Sequence, residues 1–176
     1  AETAYGQWRN WPSERWRELV DLFDPNEKLV LFGFGDQPEL KHPQVIDLRG
    51  QTSLFEMMAL IKNKCDHLIA PDSGVLSMIY YLNTPFPIQV ISLWADPRHG
   101  ILKQNVHSPN PLLVHEPIIA KARDLSLVSA RPVYEKLLPS KRPFQPFQSV
   151  IKLDSVRPVK EIKGVGCVIL AGGQGT

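Results

Sequence analysis

Three observations predict a layered α/β domain, a parallel sheet flanked by helices, with an extended tail at the carboxyl end. Short apolar runs bounded by chain breakers alternate with stretches of helical period. The joins between them are short, which suits parallel strands linked by right-handed crossovers. Residues 67–82 read as a buried strand, a tight turn and a helix apolar on nearly every face, so this helix needs a second layer to cover it.

The first helix follows Trp11-Pro12-Ser13, with Ser13 as its N-cap and Glu14 placed to favour the dipole. Trp16, Leu19, Val20 and Phe23 form one apolar stripe, and Asp24-Pro25-Asn26 ends it. Lys28-Leu29-Val30-Leu31-Phe32 is a buried strand. Gly33-Phe34-Gly35-Asp36 lies at its carboxyl end, where open parallel sheets hold their ligands. Val45-Ile46-Asp47-Leu48 is a second strand, closed by Arg49-Gly50. Ser53 and Glu56 make a capping box for a helix whose apolar side is Leu54, Met57, Met58, Leu60 and Ile61.

The central stretch comes next. Leu68-Ile69-Ala70 has strand character, and Pro71 stops the ladder because it has no N–H to donate. Asp72 or Ser73 caps the helix that carries Val75, Leu76, Met78, Ile79 and Leu82, and Gly74 lets a ligand approach the backbone. The unpaired N–H groups at such a start suit a phosphate; the same residues also suit an ordinary capped core helix. Ile88-Gln89-Val90-Ile91-Ser92-Leu93-Trp94 is another strand. Residues 95–110 form a polar loop at its carboxyl end, in which Asp96 and His99 are candidates to line a cleft if the loop is more than a solvated connection. Leu112-Leu113-Val114 is a last edge strand. A closing helix runs over 129–138, with Ser129 as cap and Pro132 in the first turn.

Composition narrows the function classes. Of 176 residues, 43% are hydrophobic and 22% charged, which supports a core and argues against a disordered or fibrous chain. A net charge of +2 gives no reason to expect bulk binding of nucleic acid. Cys65 and Cys167 lie far apart with no CxxC pair and no metal-ligand spacing, so reduced thiols and no metal are expected. The Trp- and Arg-rich start is unlike a signal peptide, and no apolar run reaches the ~18 residues of a membrane span. A cytoplasmic protein is the simplest expectation. His42, His67, His99, His107 and His115 share no spacing. Trp16 suits the core; Trp8, Trp11 and Trp94 suit packing, or stacking on a base.

Pro139, Pro143 and Pro146 mark 139–163 as a linker or extended wrap. Residues 164–176 then read as an apolar strand running into a glycine-rich turn.

Two segments resemble known families. Residues 1–138 read as one domain, of which about 7–138, through Arg9-Asn10-Trp11-Pro12-Ser13-Glu14-Arg15-Trp16, Ile46-Asp47-Leu48-Arg49-Gly50-Gln51-Thr52-Ser53-Leu54 and Asp72-Ser73-Gly74, resemble the carboxyl-terminal half of the ADP-heptose:lipopolysaccharide heptosyltransferases. That resemblance implies one Rossmann-like half of a GT-B glycosyltransferase of cell-envelope glycan synthesis, which transfers sugar from a nucleotide donor with inversion and without a cofactor. It implies that Arg9, Asp72, Ser73 and Gly74 hold the donor diphosphate, and that Asp36, Glu39, Thr52 and Ser53 reach the ribose, base or sugar. It assigns acceptor binding and the presumed catalytic base to an amino-terminal half that this sequence does not include, so the catalytic residues are not identified. Ser77 stands where the family has His, and bulky Ile79, Tyr80 and Tyr81 follow.

Residues 164–176, through Val168-Ile169-Leu170-Ala171-Gly172-Gly173-Gln174-Gly175-Thr176, resemble the opening of sugar-1-phosphate nucleotidyltransferases such as the UDP-sugar pyrophosphorylases. That implies a nucleotide-cradling loop at Gly172, Gly173, Gly175 and Thr176, the start of a further domain, and a chain that is the middle of a larger fusion. The alternative is a non-catalytic scaffold domain attached to such a nucleotidyltransferase.

Overall fold

The computed structural model describes residues 9–33, 40–138 and 167–172. In chain order these residues form α1 (Ser13–Val20), β1 (Lys28–Gly33), β2 (Val45–Asp47), α2 (Leu54–Lys64), β3 (His67–Pro71) and α3 (Gly74–Tyr80). Next come β4 (Ile88–Trp94), α4 (Gly100–Gln104), β5 (Leu113–Ile119), two 3-10 turns (Lys121–Arg123, Leu125–Leu127), α5 (Ala130–Glu135) and β6 (Cys167–Gly172). The strands lie in the order β2-β1-β6-β3-β4-β5, and every neighbouring pair is parallel. The architecture is α/β, a parallel sheet flanked by helices, and it is compatible with a Rossmann-like fold.

Strand alternation divides the core between two faces. Leu29, Leu31, Ile69, Ile91 and Leu93 point to one side and pack with Trp11, Trp16, Leu19, Val20 and Phe23 of the α1 region and Val133 of α5. Val30, Phe32, Leu68, Ala70 and Val90 point to the other and pack with Met57 and Ile61 of α2, Leu76, Ile79 and Tyr80 of α3, and Ile101 of α4. Each fully buried Leu or Ile contributes about 1.5–3 kcal/mol relative to exposure. β4 is buried along its whole length, polar Gln89 and Ser92 included. Trp11 and Trp94 are both core residues, and the Trp11 indole donates to the Val128 carbonyl (2.8 Å). Trp16 is buried against Trp11 with its ring edge-on, centroids 4.6 Å apart.

The capping box of α2 is formed. Ser53 Oγ accepts from the Glu56 amide (3.3 Å), and Glu56 returns a carboxylate to the Ser53 amide (2.7 Å). Other local expectations are corrected. Pro12, not Ser13, occupies the N-cap of α1, and Ser13 is already helical, its hydroxyl donating to Glu14. Ser129 sits at the N-cap of α5 but makes no side-chain cap hydrogen bond. The loop over 95–110 contains α4, which ends on the left-handed Asn105. The edge strand is β5, Leu113–Ile119, and not 112–114. Its continuation through His115-Glu116-Pro117 was obscured by the proline, which an edge position accommodates.

β6 enters the sheet between β1 and β3, with Gly33 opposite Gly172 and Ile69 opposite Leu170. The strand of the carboxyl-terminal segment therefore occupies the centre of the sheet. From there β1–β2 extend to one side and β3–β4–β5 to the other. Among the described residues no helix is long and apolar enough to cross a membrane.

Candidate functional site

The carboxyl ends of the parallel strands all lie at one edge, and the residues singled out in the sequence gather there. Pro71 is the last residue of β3, paired with Leu93 of β4, and the Asp72 amide still donates to the Leu93 carbonyl (3.1 Å). The chain then turns. Ser73 is extended (φ −152°) and its hydroxyl accepts from the Leu76 amide (3.3 Å), so Ser73 is the N-cap of α3. This leaves the Asp72 carboxylate for another partner, the guanidinium of Arg9, which lies 63 positions earlier. Arg9 Nη2 donates to Asp72 Oδ2 and to the Asp72 carbonyl (3.3 Å for the latter). Arg9 Nε is buried and has no hydrogen-bond partner among the described residues.

The other face of the carboxylate is walled by α4. Gly100 has φ +47°, and a Cβ there would lie 2.6 Å from Asp72 Oδ1 and 2.7 Å from the Trp94 ring. Gly74 is the opposite case: it is exposed, its φ is ordinary, and a Cβ would meet nothing within 4 Å. The Trp94 ring is fixed in turn. Its indole donates to Ser92 Oγ (2.7 Å), and Ser92 lies 2.7 Å from Nε2 of His115. Burial lowers the His115 pKa from its ordinary 6.5 against a small opposing pull from Glu116, which keeps the ring neutral and able to accept.

Asp96 is 4% exposed. Its carboxylate accepts from the Arg98 amide (3.0 Å), from Arg98 Nε (2.9 Å) and from Arg98 Nη2 (2.5 Å); Arg123 Nε stands 3.5 Å away. The Arg98 hydrogen bonds hold its pKa well below the usual carboxylate range. His99 is half-buried and extended just before α4, with no side-chain cap hydrogen bond. At the end of β2, Asp47 is clamped by Arg49 (Nε 2.9 Å, Nη2 2.5 Å), Gly50 is left-handed (φ +64°), and its amide donates to the Gly33 carbonyl (2.9 Å). Thr52 is half-buried beside Ser53, whose side chain is committed to the capping box.

The structure thus brings Arg9, Asp72, Ser73 and Gly74 together, with Asp96 and His99 on the adjoining loop. Gly172 closes β6 next to Gly33. Asp36, Glu39, Gly173, Gly175 and Thr176 lie outside the described residues. Gly100 and Arg123 were not anticipated as site residues. A glycine after His99 was the available signal for the first. Nothing near residue 123 in sequence points toward Asp96. Among the described residues no group of three or more His, Cys, Asp or Glu is placed to hold a metal ion. Comparison of the chain with protein-family models, with curated proteins and with solved structures finds no match.

Proposed function

We propose that this chain is the sugar-nucleotide-binding half of an inverting glycosyltransferase, one Rossmann-like half of a GT-B enzyme similar to the heptosyltransferases. The donor diphosphate lies on the turn 72–74. The observation that carries this reading is the delivery of Arg9 to the Asp72-Ser73-Gly74 turn at the carboxyl edge of the sheet, with its Nε buried and unpartnered among the described residues. Gly74 adds support: the fold does not require a glycine there, whereas a ligand resting on the backbone does.

In this role Arg9 pairs with a diphosphate oxygen and, with the amides of Ser73 and Gly74, stabilises charge as the nucleoside diphosphate departs. Asp72 holds the guanidinium in place from below. Thr52 contacts the rest of the donor, and acceptor and catalytic base come from an amino-terminal domain.

Calorimetric titration with ADP, UDP and GDP tests the reading. One diphosphate should bind, and Gly74→Ala and Arg9→Ala should each weaken it about tenfold or more, the effect of losing one charge-assisted or backbone contact. Affinity unchanged in Gly74→Ala would move the ligand off this turn. No binding of any diphosphate would favour the scaffold role.

A further inference from the structure

We propose that the carboxyl ends of β4 and β5 carry a second anion site, for a phosphate group, built from Arg98 and Arg123 on the buried carboxylate of Asp96. The argument begins with a repeated local device. Asp47-Leu48-Arg49 and Asp96-Pro97-Arg98 fold the same way at the ends of β2 and β4. In each, the arginine amide bonds one carboxylate oxygen (3.1 and 3.0 Å), and Nε and Nη2 fork onto the two oxygens at matching distances (2.9, 3.1 and 2.5 Å). Exposure separates them. At β2 the arginine is the hidden partner, 11% exposed against 21% for Asp47. At β4 the carboxylate is hidden at 3%, while Arg98 is 64% exposed.

Among the described residues a second arginine joins the β4 clamp and none joins the β2 clamp. Arg123, 63% exposed, brings Nε to 3.5 Å from Asp96 Oδ2. It is presented by two successive left-handed residues, Ala122 (φ +53°) and Arg123 itself (φ +57°), a conformation that non-glycine residues adopt at an energetic cost. Two cations on one anion leave a net positive charge, and exposed Lys121 adds to it. The nearby acids are engaged elsewhere: Asp124 accepts from the Ser126 amide (2.9 Å), and Glu116 from Lys136 (3.1 Å). Among the described residues neither guanidinium has another protein acceptor, so each keeps N–H donors for a ligand. Planar guanidinium forks favour phosphate oxygens. Gly100, two residues beyond Arg98, touches the Asp72 turn, so this site adjoins the first but shares no residue with it and does not rest on the nucleotide reading.

The test is titration of the full chain with sodium pyrophosphate and with inorganic phosphate at low salt, followed by amide NMR shifts at 96, 98–100 and 121–124. Arg123→Ala is the main variant, because Asp96 keeps its Arg98 fork and the loop stays clamped. Pyrophosphate should shift those amides, and Arg123→Ala should weaken binding about tenfold or more, as loss of one charge-assisted contact does. Arg131→Ala, on the exposed side of α5, should leave it unchanged. Phosphatidylcholine vesicles doped with phosphatidic acid separate the sources. Arg123-dependent capture by these vesicles places the phosphate on a lipid headgroup, and pyrophosphate binding without capture places it on a small molecule. Equal pyrophosphate affinity in wild type and Arg123→Ala, or neither binding nor capture, would overturn the proposal.

Discussion

Asp72 takes its arginine from position 9, across 63 residues and from another layer of the fold, whereas Asp96 takes its principal arginine from two residues away. The two aspartates follow neighbouring strands, and each ends a strand by pairing with a guanidinium. Their glycines differ as well. Gly100 is packed between Asp72 and Trp94 in a left-handed conformation, while Gly74 faces open space in an ordinary one. The comparison separates a glycine that the fold needs from one that it does not. The loop after β4 is built by local contacts; the turn after β3 is completed only when α1 and the residues before it dock on the sheet, anchored by Trp11 on the Val128 carbonyl.

The largest expected effect breaks the wall between the two regions. Gly100→Ala should destabilise the fold by about 2–4 kcal/mol, the sum of a left-handed alanine and a side chain forced into filled space. Urea denaturation checks this, and a loss under 1 kcal/mol would mean that the loop relaxes away from Asp72 at roughly the cost of a tolerated core change. Next comes the long-range pair. Arg9→Ala leaves the Asp72 carboxylate, 10% exposed, without its cation, and should cost about 1–3 kcal/mol in the same assay.

Acid should loosen the β4 side selectively. The folded-state pKa of His115 is lowered by burial, so the unfolded chain takes up the proton first. The contribution of this group is fully present above the ordinary histidine value of 6.5 and is lost as pH falls from there through the folded-state value. Stability measured at about pH 7.5 and about pH 5.5 should therefore fall, and His115→Gln should flatten the decline. The smallest effect is at the open glycine. Gly74→Ala should leave stability unchanged or raise it by up to about 0.5 kcal/mol, because the substitution removes backbone freedom from the unfolded chain and meets nothing in the folded one.

Much of the fold was legible because its signals are local. The mostly apolar run at 88–94 reads as a strand, and the Ser53–Glu56 capping box needs only four residues to form. Where local signals misled, the missing information was packing. Pro117 argues against a strand until β5 is seen to lie at an edge, and Ser13 looks like a cap until Pro12 is found to occupy that position. At the site, Asp72, Ser73 and Gly74 were legible as a turn after a buried strand. Arg98 was visible as a neighbour of Asp96, though its exposure was not. Arg123 was hidden, because its approach to Asp96 depends on two left-handed residues after β5.

The sequence by itself determined the alternation of strands and helices and the turn at 72–74, since each arises among residues close enough to meet in any compact chain. The tertiary structure decided the rest. It alone set Arg9 against Asp72, placed Arg123 beside Asp96, closed Gly100 over the carboxylate, and seated β6 between β1 and β3. Contacts across dozens of residues carry a loop-closure cost that no local pattern repays. They form only because burying the two faces of the sheet brings those segments together.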